Sequence, residues 1–303
     1  MNREAILQAV KDYTLIDDSE METIVYNQLD NVQDNDICNN VHGYDFTWLK
    51  KYYEINTIPT YTTGHVSVVQ DSTTVTGDGT TFTSGMVGRV IKFSGDSEYY
   101  LISAFVSVTE ITLQTAYIGT TLVLSDYTIY AVNYALQSDF KRMEYMKQVG
   151  YERPIPKMND REFSNLYPDE FKTIGQEILG YIEGGIDSSS NRLVRFYPVQ
   201  TTRKRIYCGY IRKLPSINTV GATSLIPSRY HQLFVFKLAE FVFSSGNDME
   251  DKALRAKDKF DDLLYKFVNE DKNAFEDEKD YMSDEIYVKT RGSYHSVNLP
   301  EEI

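Results

Sequence analysis

Helical segments at both ends of the chain, enclosing a block of short strands, predict an α+β protein. Two observations carry this reading. Apolar residues recur at three- and four-residue steps up to Val32 and again from Ser228 to Phe267. Between them, Tyr61 to Tyr134 is dominated by Thr, Val, Ser, Gly, Ile and Tyr, with no Pro from Pro59 to Pro154.

The first helix rests on Ile6, Leu7, Val10 and Tyr13, with Asn2 as its N-cap. A second follows from Met21, Ile24, Val25, Leu29 and Val32. Asp17, Asp18 and Ser19 precede it, where acidic and capping residues suit a helix N-terminus. Trp48, the only Trp, is read as a packing anchor before a strand from about Lys50 to Ile58. Strands are expected near His65–Val69, Thr73–Thr76, Met86–Phe93, Tyr99–Val106, Glu110–Gln114 and Tyr127–Val132. Turns fall at Gly77-Asp78-Gly79, Ser94-Gly95-Asp96 and Val108-Thr109. Such spacing indicates a small antiparallel barrel or sandwich of about 70 residues, near the lower size at which a domain buries its own core.

After Asp139 the pattern is mixed. Asn159 or Asp160 caps a short helix through Leu166. Glu177–Ile182, Arg192–Tyr197 and Arg205–Arg212 read as three antiparallel strands, with turns at Gly184–Ser190 and Thr201-Thr202. Two long helices then form an antiparallel hairpin. The first runs from an N-cap at Ser228 to about Ser244, is apolar nearly all round, and stops at Gly246. The second is capped by Asp248 and carries Ala253, Ala256, Phe260, Leu263, Leu264 and Phe267 as one stripe. The expected division is therefore an N-terminal helical part, 1–60, and an inserted β module, 61–133. Residues 134–268 supply a small sheet and the hairpin that completes the helical body, and 269–303 form an extended polar C-terminal arm. Within that arm Glu285–Val288 has the pattern of a strand that adds to a sheet edge. Ile286, Tyr287, Val288, Tyr294, Val297 and Leu299 are its candidate interface residues.

Composition narrows the function. The 303 residues are 42% hydrophobic and 25% charged, the balance of a soluble globular protein. The 24 Tyr and 15 Phe either pack strands or serve surfaces that must be part apolar and part wet. A net charge of −13 disfavours ordinary DNA binding, yet is compatible with a wall past which DNA slides. Met1 to Leu15 lacks the apolar run of a signal peptide, and no stretch approaches transmembrane length, so a soluble protein not secreted by a cleaved signal is expected.

Few residues point to chemistry. His42, His65, His231 and His295 form no zinc-binding spacing, and Cys38 and Cys208 form no metal pair or disulfide framework. The acidic clusters Asp34/Asp36 and Asp248/Glu250/Asp251 lack the spacing of a calcium loop. Gly77-Asp78-Gly79-Thr80 joins strands and lacks the Gly-Lys-Ser/Thr ending of a phosphate loop. No catalytic residue, metal or cofactor is expected. Arg203-Lys204-Arg205 is the one basic cluster that could touch DNA. Its plainer reading is a solvated guard on a strand edge.

Two stretches resemble the head-to-tail adaptor proteins of tailed bacteriophages, the type with a β-rich insertion. One is Thr73-Thr74-Val75-Thr76-Gly77-Asp78-Gly79-Thr80-Thr81-Phe82, continuing through Val87–Phe93, Glu98–Ser103 and Tyr127–Tyr130. It ends at Tyr134-Ala135-Leu136-Gln137-Ser138-Asp139-Phe140, with Gln137 where the family pattern has Pro. The other joins Arg195-Phe196-Tyr197-Pro198 and Gly209-Tyr210-Ile211-Arg212-Lys213-Leu214-Pro215 to Leu225-Ile226-Pro227-Ser228-Arg229-Tyr230.

The resemblance implies a helical bundle with an inserted small antiparallel β-barrel or sandwich and an additional small antiparallel sheet. It implies a dodecameric ring at the head–tail junction of the virion, assembled in the host cytoplasm. The implied partners are further copies of the chain, the portal protein, tail or nozzle proteins, and collar or tail-fibre proteins through the β module. DNA would pass through the channel without sequence-specific binding, and no membrane is involved. Another tail, collar or baseplate component is the alternative. A carbohydrate-binding module is the third reading, against which the helices around the insertion count, since a stand-alone sugar module does not need them.

Overall fold

The computed structural model describes residues 1–39, 43–166, 177–246 and 249–292, with side chains described as far as 273. The fold is mixed α+β. Its chain divides into two compact units, one from Met1–Lys50 together with the residues from Lys213 onward, the other Lys51–Arg212.

The first unit is helical. Helix α1 (Arg3–Thr14) starts where the Asn2 side chain accepts from the Ala5 amide, and α2 (Ser19–Asn31) where Asp18 accepts from Met21. The expected cap residues thus do the capping. Past α2 the backbone continues as a π-helix over Val32–Cys38, which the apolar spacing does not reveal. Asp30 accepts from Ser216 Oγ and the Ile217 amide, and Gln33 donates to the Pro215 carbonyl, tying the 213–218 loop to these helices.

Two long helices follow in this unit, as expected. In chain order they are the fourth and fifth of the protein, α3 belonging to the other unit. Ser228, expected as the cap of the next helix, instead opens a 3-10 turn at Ser228–Tyr230; α4 follows over Gln232–Ser245 with His231 at its N-cap position, and ends at Gly246. It buries Leu233, Phe234, Leu238, Ala239, Val242 and Phe243, while Phe236 and Phe241 are only half-buried. Val235 is buried as well, and between Gln232 and Ser244 no residue of the helix is exposed.

Helix α5 spans Glu250–Gly292. Asp248, expected as its cap, lies outside the described residues. The extended arm expected from residue 269 is not what forms, since α5 continues as helix to Gly292. Its 43 residues reach about 64 Å, against about 21 Å for the 14 of α4. The sequence from Glu270 is polar but rich in Glu, Lys and Asp, and Glu and Lys favour helix over strand.

An aromatic cluster locks α5 within this unit. Phe267 stacks on Phe46 at 4.2 Å and on Tyr230 at 3.8 Å, and Trp48 lies parallel to it at 6.4 Å. One turn on, Asp271 accepts from the Thr47 amide, Thr47 Oγ1 and Tyr44 Oη, each at 2.8 Å. Burial, then the Asp271 carboxylate, push the Tyr44 hydroxyl well above its ordinary range. Asp271→Ala orphans three donors at once and should cost ~1–3 kcal/mol. A fall in the urea midpoint with an unchanged slope would match this. An unchanged midpoint would contradict it.

The second unit is built on strands. In chain order they are β1 (Lys50–Asn56), β2 (His65–Val68), β3 (Thr74–Asp78), β4 (Val90–Phe93), β5 (Tyr100–Ser107), β6 (Glu110–Leu113), β7 (Leu122–Ser125), β8 (Tyr127–Tyr130), β9 (Asn133–Ala135), β10 (Phe140–Gln148), β11 (Gly180–Ile186), β12 (Arg192–Tyr197) and β13 (Arg205–Arg212). Helix α3 (Asp160–Leu166) belongs here, its Glu162 amide capped by Asn159.

Seven of the strands form one curled antiparallel sheet in the order β7-β2-β3-β6-β5-β4-β8. Strand β5 turns the sheet. It pairs with β4 through Tyr100 and Leu101 and with β6 from Ile102 to Ser107, through two register shifts. Each shift adds a residue and increases the local twist. Alternate residues face inward, so Val66, Val68, Val75, Ile91, Ile102 and Ile111 meet Phe82, Tyr100, Tyr117 and Tyr127 in one core. Gly79 forms the expected turn at φ +66, a conformation that favours glycine.

The three strands expected after residue 177 all form, but they do not share one sheet. Strand β12 pairs with β11 on one side and β9 on the other, while β13 lies between β1 and β10. Both small sheets lie in the unit that holds the β module, so the inserted unit is 51–212, wider than the 61–133 expected. The two stretches that carry the family resemblance meet here. Tyr210 donates to Asp139 at 2.6 Å and Lys51 donates to the same carboxylate at 2.7 Å. Burial opposes ionisation of Asp139, but these two donors hold its carboxyl below the usual range.

Candidate functional site

The most built surface feature is the solvent face of the sheet β1-β13-β10. Alternation along β13 sends Ile206, Cys208 and Tyr210 into the core and turns Arg205, Tyr207 and Gly209 to the other face, where Arg205 and Tyr207 are exposed and Gly209 is covered. The register pairs Gly209 with Tyr145 and Tyr207 with Lys147, placing these β10 side chains on the same face. A Cβ on Gly209 would lie 2.4 Å from Tyr145 Cε1, so the glycine lets the tyrosine ring approach the central strand closely. Tyr52 of β1 stands beside it, ring centroids 6.4 Å apart. Tyr52, Tyr145 and Tyr207 remain 69%, 42% and 43% exposed.

A charge pair borders the rings. Arg205 donates from Nε and Nη2 to the two carboxylate oxygens of Glu54, at 3.1 and 2.7 Å. The pair raises the Arg205 pKa and lowers that of Glu54. The basic cluster therefore behaves differently from its sequence reading. It does not guard an edge, because β13 is the central strand. Arg203 is exposed. Lys204 holds the strand ends together, its amide donating to Thr57 Oγ1 and its carbonyl accepting from the Thr57 amide. Sequence reasoning missed Tyr52, Tyr145 and Gly209. The Tyr-rich composition was a signal, but nothing local to Tyr52 or Tyr145 marks them as outward-facing.

The remaining candidates supply no reactive constellation among the described residues. His65 lies 3.0 Å from Asp126, both exposed, and His231 contacts the Ile226 carbonyl at 2.8 Å. His42 and His295 lie outside the described residues, as do Tyr294, Val297 and Leu299. Ile286, Tyr287 and Val288 fall within α5, so the expected added strand is helix there. Cys38 and Cys208 are buried and free, and burial pushes the Cys208 thiol up to about 12, which keeps it protonated at neutral pH. Among the described residues no group of His, Cys, Asp or Glu could hold a metal ion, and no helix is long and apolar enough to cross a membrane. An open depression of about 400 Å³ at the β11–β12 hairpin is lined by Lys157, Glu183 and Arg192, with Lys157 Nζ 2.9 Å from Glu183 Oε1.

Fold and face together describe a two-unit α+β protein whose clearest surface feature suits binding. Against known proteins, no family model matches the chain and no curated protein matches it in sequence.

Proposed function

We propose that this chain is a structural subunit of a tailed bacteriophage, a head-to-tail adaptor that forms a ring between portal and tail. The observation that carries the reading is the order of the sequence blocks quoted above, from the Thr- and Gly-rich strands to the Leu225–Tyr230 lead into the helix hairpin. A helical unit interrupted by a β-rich unit supports it. In this reading α1, α2, α4 and α5 act as a bundle, and a dodecameric ring surrounds DNA that passes without sequence-specific contact. The curled sheet faces collar or fibre proteins, and the end of α5, instead of an added strand, serves portal docking. The subunit does no catalysis and needs no cofactor.

A second structural station, in the tail, collar or baseplate, shares the β-block similarity and is the alternative. Electron microscopy of the assembled particle tests both. Closed rotational symmetry in density for this chain directly below the portal is the expected result. Density elsewhere in the tail would favour the alternative, and absence of rotational symmetry would overturn the ring.

A further inference from the structure

We infer that the tyrosine-bearing face of β1-β13-β10 is a contact surface for a second copy of this chain. The inference rests on the ring reading and names the surface through which the ring is joined. Charge selects the occupant. Of the seven Lys and Arg on these three strands, Lys51 and Arg212 lie by Asp139, the partner of core-facing Tyr210, which leaves five against Glu54 and Glu144. A basic sheet thus belongs to a chain of net charge −13. The surface that complements it is acidic, and a second copy supplies an excess of acidic residues outside this sheet.

The aromatic content fits a protein partner. Exposed Tyr and Arg are the residue types that concentrate binding energy at protein interfaces. Tyr145 packs closely on Gly209 beside Tyr52, so these exposed rings have little side-chain entropy left to lose. Lys147 is exposed at the register position opposite Tyr207. Nucleic acid also joins phosphate to stacking bases, but Glu54 stands among these rings and the chain as a whole repels phosphate. A basic face meeting a different, acidic face makes a heterologous contact, the kind that closes into a ring.

The test is sedimentation velocity of the full chain over a range of concentration and salt, with Lys147→Glu and Tyr52→Ser, both at exposed positions. Each variant is first matched to the parent by thermal melt. The parent should self-associate at low salt and dissociate as salt rises, and each variant should weaken association at least about tenfold. A parent that stays monomeric, or variants that associate as tightly as the parent, would overturn the proposal. Labelled single-stranded and duplex DNA are titrated in parallel. DNA binding lost in the variants while self-association is unchanged would assign the face to nucleic acid instead. Failure of the contact and failure of the ring reading are separable. A symmetric ring whose variants assemble normally leaves the ring and removes this face from it. Variant-sensitive association without closed symmetry in the particle does the reverse.

Discussion

Leu238→Asp should leave the helical unit unfolded at room temperature. Leu238 has no solvent exposure and lies on the buried side of α4, with Phe234 and Val242 one turn away on either side. An unpaired carboxylate there costs several kcal/mol, and the lost leucine contacts add to that. Whole-domain stability is of order 5–15 kcal/mol, so most of the margin disappears. The neighbouring Phe241 is a weaker choice despite its size, because it is half-buried and Lys237 approaches its ring at 5.2 Å. Far-UV circular dichroism and expression in soluble form read the outcome. A soluble Leu238→Asp protein with the parent's helical signal and melting temperature would contradict the packing described.

Removal of 51–212, with the ends joined by a short Gly/Ser linker, should leave a helical protein with a cooperative melt. The reason is the path of the chain. Strand β1 enters the unit and β13 leaves it as neighbours, and Glu54–Arg205 and Thr57–Lys204 show that they run in opposite directions. Entry and exit therefore lie at the same end of one sheet, with neighbouring strands about 5 Å apart. The caps, the Asp30 and Asp271 hydrogen bonds and the Phe267 cluster lie wholly within the helical unit. The excised segment has two cores of its own, one in the curled sheet and one under β10 and β13. Cutting only 61–133 is less clean, because it removes Asn133 and with it one of the three paired positions between β9 and β12. Loss of helical dichroism after removal of 51–212 would show that the helices depend on the strands.

Legibility in the sequence followed local periodicity. Asn2 and Asp18 cap because a short polar side chain before an apolar repeat can reach an amide within its own turn. Strands β2, β4, β6 and β8 were readable because their burial alternates strictly. Strand β10 was not. Two register shifts, between Phe140 and Arg142 and between Met143 and Tyr145, each insert one residue. Its buried positions Phe140, Met143 and Met146 are therefore three apart, a spacing that imitates a helix. Strand β7 was hidden for a related reason, since Leu124 is held at φ 50 by an irregularity opposite Ser67. In the C-terminal segment the alternation at Glu285–Val288 points to a strand, while the Glu- and Lys-rich composition before it favours the helix that forms.

The sequence by itself determined the α+β class, the caps of α1 and α2, the stop of α4 at Gly246, most strands of the curled sheet and the apolar stripe of α5. All of these depend on neighbours within a few residues along the chain. Only the tertiary structure decided that β13 is a central strand between β1 and β10, that Arg205 is matched by Glu54, and that Tyr52, Tyr145 and Tyr207 share one exposed face. Those facts join residues up to about 150 positions apart. They are set by which sheet edges find each other once the cores close, and no periodicity in a single segment encodes that choice.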